Sequence, residues 1–195
     1  MINKAIFLDR DGTINVEKNY LHRIQDFEFL PDVIEALKLF QKNNFMLIII
    51  TNQSGIARGY YTEKEYLRLN AWLMDELLNH YHVQIAASYY CPHLPNASIS
   101  EYSRDCTCRK PKTGLFDKAI QELNIQPEYS YAIGDKIRDI SPCYEKVCGF
   151  EGMRGYLIGD NEDDTCIQDI KNGYVSHVLW KKDLWEAAKD ICGIH

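Results

Sequence analysis

Short apolar runs alternate along this chain with segments whose apolar residues recur every three or four positions. That alternation predicts a parallel sheet flanked by helices. Ala5 to Leu8 is the first strand and ends at Asp9. Leu30-Pro31-Asp32 opens a helix that runs to about Gln41, with Val33, Ile34, Leu37 and Phe40 as its apolar stripe. Phe45 to Ile50 is continuously apolar, as a strand buried on both faces requires. Thr62-x-x-Glu65 reads as a capping box for a helix to about Asn79. Ile85 to Tyr90 is a third strand. Further on come a helix from about Gly114 to Leu123, a strand at Tyr131 to Ile133 and a helix near Asp139 to Val147. A strand near Gly155 to Ile158, another at Val175 to Leu179 and a helix from Asp183 to Ile191 complete the series.

The alternation fails in one place. Cys91 to Lys110 has two prolines, many small polar residues and neither period, so it is a long loop held by something other than packing. Only about 36 residues separate the first two strands. That leaves room for one helix but not for a large cap domain. The 195 residues suit a single domain, 1–195, with the loop at 91–110 as its irregular part.

Charge and composition narrow the options. Lys and Arg number 22 and Asp and Glu 28, a net charge of −6 that argues against nucleic acid or an anionic membrane as partner. The longest apolar run is too short to cross a bilayer, and no secretory leader is visible at the N-terminus. A cytoplasmic protein is expected, and with no long exposed apolar stripe, a monomer.

Chemistry concentrates at the predicted strand ends, where open α/β sheets bind ligands. Asp9-Arg10-Asp11-Gly12-Thr13 follows the first strand, and residues two apart in extended chain face one pocket. Two adjacent carboxylates repel unless a cation binds or one is protonated. Mg²⁺ typically joins one or two carboxylates to a phosphate. The alternative is a plain Asp/Gly turn. Thr51-Asn52 follows the second strand and offers a hydroxyl to a phosphate oxygen. Arg109-Lys110 follows the long loop, with Lys110 able to neutralise phosphate and Arg109 able to grip an oxyanion; a solvated basic patch is the alternative. Gly134-Asp135-Lys136 follows the fourth strand, where Asp135 would complete a metal site, with Asp139 nearby.

Taken together, this order of Asp/Asp, Thr, Lys and Asp resembles the haloacid-dehalogenase superfamily of phosphatases over roughly Ala5 to Asp139. The resemblance implies a Rossmann-like fold with a covalent aspartyl-phosphate intermediate. It implies Asp9 as nucleophile and Asp11 as general acid, then base. Thr51 and Lys110 would be phosphate stabilisers, and Asp9, Asp135 and the Asp11 carbonyl would hold Mg²⁺.

Cys91-x-His93 and Cys106-x-Cys108 bracket the long loop. Three thiolates and one imidazole make a closed four-coordinate zinc set, structural rather than catalytic. A cytoplasmic setting disfavours disulfides. The other cysteines, 143, 148, 166 and 192, are expected to be packing residues. With this loop, and with Thr51-Asn52-Gln53-Ser54-Gly55-Ile56-Ala57-Arg58-Gly59, the chain most resembles the heptose bisphosphate phosphatases of that superfamily. They remove the C7 phosphate and keep the C1 phosphate, on the way to nucleotide-activated heptose for lipopolysaccharide or other glycans. The resemblance implies substrate contacts at Glu17, Lys18, Asn19, Tyr20, Thr51, Asn52, Gln53, Ser54, Arg109, Lys110 and Lys136, with Arg109 facing the second phosphate. The alternatives are a histidinol-phosphate phosphatase, which shares the motifs, and a phosphoacceptor receiver module. The Asp9-x-Asp11 pair and the zinc loop weigh against the receiver module.

Overall fold

A computed structural model describes residues 2–159, 165–172 and 175–194 of the chain, without the side chains of 165–167. Six parallel strands form one sheet: β1 (Lys4–Leu8), β2 (Phe45–Asn52), β3 (Ile85–Cys91), β4 (Tyr131–Gly134), β5 (Arg154–Ile158) and β6 (Val178–Lys181). They lie in the order β3-β2-β1-β4-β5-β6. The order reverses between β1 and β4, which places the ends of those two strands and of β2 side by side. The helices are α1 (Val33–Lys42), α2 (Ser54–Arg58), α3 (Glu63–Asn79), α4 (Gly114–Glu122), α5 (Thr165–Lys171) and α6 (Leu184–Cys192).

Strand alternation sorts the core into two layers. Ile6, Leu8, Leu47 and Ile49 pack with Leu37 and Phe40 of α1, Leu73 and Leu77 of α3 and Ala187 of α6. Phe7, Ile48 and Ile50 pack on the opposite face with Phe116 and Ile120 of α4. This double coverage is why β2 reads as an unbroken apolar run. The Thr62–Glu65 capping box forms as the sequence predicts: Thr62 Oγ1 accepts from the Glu65 amide at 3.2 Å, and Glu65 accepts from the Thr62 amide at 2.7 Å. Between β1 and β2 stand only α1 and a single 3₁₀ turn, Ile24–Asp26, and no large cap.

Several expectations need correction. The helix begins at Val33, not at Pro31; Asp32 is left-handed at φ 56°, so the chain turns before the helix starts. The helix expected over Asp139–Val147 is a 3₁₀ turn, Ile137–Cys143. Ile140 leaves helical φ/ψ at −101° and 20°, and Val147 pairs back with Phe150 across a bend with Cys148 and Gly149 at positive φ. The last strand is Val178–Lys181, later than the Val175–Leu179 expected; Val175 packs beside the core outside the sheet. Cys143 is buried and Cys192 half-buried, but Cys148 is exposed, because the bend turns it outward. The side chain of Cys166 lies outside the described residues.

Candidate active site

Asp9 sits at the end of β1 with its amide bonded to the Ile133 carbonyl of β4 at 3.1 Å. Its carboxylate is buried and accepts from Lys110 Nζ at 2.9 Å. Lys110 is equally buried: its ammonium donates to Asp9 and, at 2.7 Å, to the Ile50 carbonyl, and forms an ion pair with Asp139 at 2.7 Å. Burial pushes the Lys110 ammonium down, but Asp139 and Asp9 outweigh it and hold the group charged. Asp9 is pushed up to about 6, first by burial and then by the Asp139 charge, against the pull of Lys110.

Carboxylate oxygens of Asp9, Asp135 and Asp139 lie within 4.8 Å of one another. Three buried carboxylates face one buried ammonium, an excess of two negative charges. A divalent cation fits that excess, and oxygen donors suit Mg²⁺. Lys136 pairs with Asp135 at 2.8 Å from the solvent side, a contact too exposed to replace an ion. Burial pushes the Asp135 carboxyl up.

Gly12 makes this approach possible. Its φ is +83°, and a Cβ there would overlap the Asp135 carboxylate. Gly12→Ala therefore combines a strained backbone with a displaced Asp135 carboxylate. Apparent Mg²⁺ affinity, read by titrating activity with the ion, should weaken by about 10- to 100-fold, the range for disturbed ligand support. Unchanged affinity in the Ala variant would remove Asp135 from the metal site.

Asp11 faces the same pocket but is held differently. Arg10 Nη2 donates to both its oxygens at 2.9 and 2.8 Å, Asn15 donates at 3.0 Å and Gln53 at 3.0 Å. Arg10 is fully buried, stacked near the Tyr66 ring, and fixed further by the Leu21 carbonyl. Gln53 also donates to Thr51 Oγ1 at 2.9 Å and accepts from the Tyr61 hydroxyl at 2.5 Å, so its amide has one orientation. Tyr61 in turn stacks on His22, and Gly55 leaves room for the tyrosine ring.

An adjoining pocket of about 220 Å³ is lined by Asp11, Glu17, Asn19, Tyr20, Gln53, Ser54, Arg109 and Arg138, among others. Burial, then the charge of Asp11, pushes the Glu17 carboxyl up. Burial, with Arg138 and Arg58 close by, lowers Arg109. Lys18 turns aside to Glu28 at 2.9 Å. Thr51 is buried and is not among the residues lining this pocket. Asn52 reaches the pocket wall, yet its amide is already paired with the Lys110 backbone in both directions at 3.1 Å. Arg10, Tyr61, Arg138 and the central place of Asp139 escaped the sequence reading. The first could have been suspected from its position inside Asp-x-Asp; the other three depend on how distant segments meet.

The cysteine loop closes on itself beside the site. Cys91 Sγ lies 3.6 Å from Cys106 Sγ and 3.2 Å from Cys108 Sγ, and His93 Nδ1 lies 3.3 Å from Cys108 Sγ. These separations are far longer than the ~2.05 Å of a disulfide and approach the edges of a tetrahedral zinc cage. Burial holds the Cys91 thiol up; at Cys106 burial is outweighed by hydrogen bonds from Cys108 and Cys91, which lower it.

Comparisons with known proteins place the chain among phosphatases. A family profile described as polynucleotide kinase 3 phosphatase matches residues 4–147, which include every site residue named above. The D-glycero-beta-D-manno-heptose-1,7-bisphosphate 7-phosphatase of Haemophilus ducreyi is 48% identical over 140 residues, 72% of this chain and 76% of the relative. The enzyme of that name from Escherichia coli K12 is 47% identical over 136 residues, 70% of this chain and 71% of the relative. Among solved structures, the D,D-heptose 1,7-bisphosphate phosphatase of B. bronchiseptica, complexed with magnesium and phosphate, superposes with a TM-score of 0.76. It is 22% identical, with 97% of this chain and 98% of that one covered. The D,D-heptose 1,7-bisphosphate phosphatase of Burkholderia thailandensis gives 0.61 at 23% identity, covering 96% and 97%. The fold is that of the haloacid-dehalogenase phosphatases. On the extent and level of identity to its relatives, the chain belongs to the D-glycero-beta-D-manno-heptose-1,7-bisphosphate 7-phosphatase family.

Proposed function

We propose that this chain is a Mg²⁺-dependent phosphomonoester hydrolase that releases the C7 phosphate of D-glycero-beta-D-manno-heptose 1,7-bisphosphate and leaves the C1 phosphate in place. The observation that carries the reading is identity near 48% to enzymes of that name over more than two thirds of both chains. The buried carboxylate–lysine cluster supports the chemistry, since phosphoryl transfer is accelerated chiefly by positioning and charge neutralisation.

Asp9 attacks phosphorus, and the leaving sugar oxygen takes a proton from Asp11. Water then cleaves the aspartyl phosphate, with Asp11 returning as base. Lys110 and Thr51 stabilise the transferring group. General acid catalysis of this kind contributes about 10²- to 10⁴-fold. Asp9, Asp135 and the Asp11 carbonyl would hold Mg²⁺, and Asp139 holds Lys110. Bound there, Mg²⁺ would supply positive charge to offset that of the phosphate oxygens. Zinc at Cys91, His93, Cys106 and Cys108 supports the loop that carries Arg109 and Lys110. Contacts to the sugar come from Glu17, Asn19, Tyr20, Gln53 and Ser54. None of the described helices is long and apolar enough to cross a membrane, and the enzyme acts as a cytoplasmic monomer.

Phosphate release from the beta and alpha heptose bisphosphates and from histidinol phosphate tests the assignment. The beta anomer should be preferred over either by at least about 10-fold in kcat/KM, a difference of about 1.4 kcal/mol in transition-state binding. Phosphorus NMR of the product should show phosphate retained at C1. Faster turnover of histidinol phosphate would transfer the chain to the other activity.

A further inference from the structure

The two guanidinium groups lining the 220 Å³ pocket have no adequate anionic partner of their own. Arg109 donates to the His93 carbonyl at 3.2 Å, and among the described residues no carboxylate stands within ion-pair distance of it. The carboxylate beside Arg138 is Asp139, at 3.8 Å, and Asp139 is already engaged by Lys110 at 2.7 Å. The Arg138 side chain is about half exposed, so its fork is free to meet a ligand entering from solvent. Like charges brought to one pocket repel, and an anion between them relieves the repulsion.

Lys136 does not serve this purpose in the structure. It is not among the pocket's lining residues, and its ammonium is spent on Asp135 at 2.8 Å. The 3₁₀ turn Ile137–Cys143 carries Arg138 to the pocket. Asp11 and Glu17, acids that would repel a second phosphate placed near them, also line the pocket. Within it an anion is attracted by the arginines and repelled by the acids, which suit sugar hydroxyls instead.

We infer that Arg138 is a specificity-determining residue that, with Arg109, clamps the phosphate the enzyme retains, so that a bisphosphate is oriented with its other phosphate toward Asp9. This inference rests on the bisphosphatase reading above. Two planar forks can grip phosphate oxygens in a way that a single lysine cannot.

Kinetics of Arg138→Gln test it, with the sugar bisphosphate and p-nitrophenyl phosphate compared in parallel. The ratio of kcat/KM for the bisphosphate to that for the mono-ester should fall by about 10- to 100-fold, the worth of a charge-assisted contact. The loss should appear mainly in KM. Arg138→Lys should restore part of the ratio, since it returns charge without the fork. Inhibition by the retained sugar 1-phosphate should weaken in parallel. An unchanged ratio, whether both substrates suffer equally or neither does, would overturn the clamp. The wild type separates this from the parent reading: if it prefers another bisphosphate, such as fructose 1,6-bisphosphate, the heptose assignment fails and the ratio is scored on that substrate.

Discussion

Asp9→Asn should give a folded protein whose turnover is lost by at least about 10⁴-fold, below the reach of a phosphate-release assay. The amide keeps the shape of the side chain but has no oxygen able to attack phosphorus and leave as a carboxylate. It also weakens the metal site, because a neutral ligand replaces one of three clustered carboxylates. Folding should survive the change. Lys110 keeps Asp139 and the Ile50 carbonyl as acceptors. The sign of the Asp9 shift says more. Its carboxyl titrates at about 6 in the folded chain, above the ordinary 3.8, so its charge opposes folding. Its stabilising share is complete below about 3.8 and is lost as pH rises through about 6. At about pH 7.5, with metal removed, the Asn variant should melt no lower than the wild type. Mg²⁺ should raise the melting temperature of the wild type and do so less for the variant. A well-folded Asn protein that still turns over would end the covalent mechanism.

The parts of the site legible in the sequence are those fixed by position on a strand. Asp9, Thr51 and Asp135 each follow an apolar run, and a buried parallel strand delivers its last residues to one edge. Cys91, His93, Cys106 and Cys108 were legible because their side chains have little else to do in a loop so poor in apolar residues. Arg10 was not. It reads as the spacer of Asp-x-Asp, and only the folded chain brings Tyr66 beneath it and turns it onto Asp11. The hydroxyl of Tyr61 fixes the Gln53 amide from eight residues away, across the short helix α2 that no apolar period announces. Lys136 and Arg138 look equivalent in sequence as neighbours of Asp135. Which one faces the pocket depends on the 3₁₀ turn that replaces the expected α-helix, with its kink at Ile140.

Removing the zinc should cost both stability and activity. Substituting Cys106 and Cys108 together by Ser should abolish zinc content, lower the melting temperature by about 10 °C and reduce kcat/KM by about 100-fold or more. The stability estimate follows from size. Zinc binding can supply on the order of 10 kcal/mol in small zinc domains, but most of this chain has its own core, so a few kcal/mol is the share expected here. For a chain of this length each kcal/mol is worth about 2–4 °C. The activity estimate follows from connectivity. Arg109 and Lys110 come directly after Cys108, and Arg109 is braced by the carbonyl of His93, a member of the same Cys/His cluster. Lys110 is tied at its backbone to Asn52 and at its tip to Asp9. A slack loop would leave those distal ties intact while freeing Arg109, so the bisphosphate should lose more than p-nitrophenyl phosphate does. That asymmetry distinguishes a zinc that positions the site from one that only holds the fold together. Metal analysis of the purified wild type should find close to one zinc per chain, released by a strong chelator with the same kinetic signature. Zinc-free protein with wild-type turnover of both substrates would show that the cysteine cage has no part in aligning Arg109.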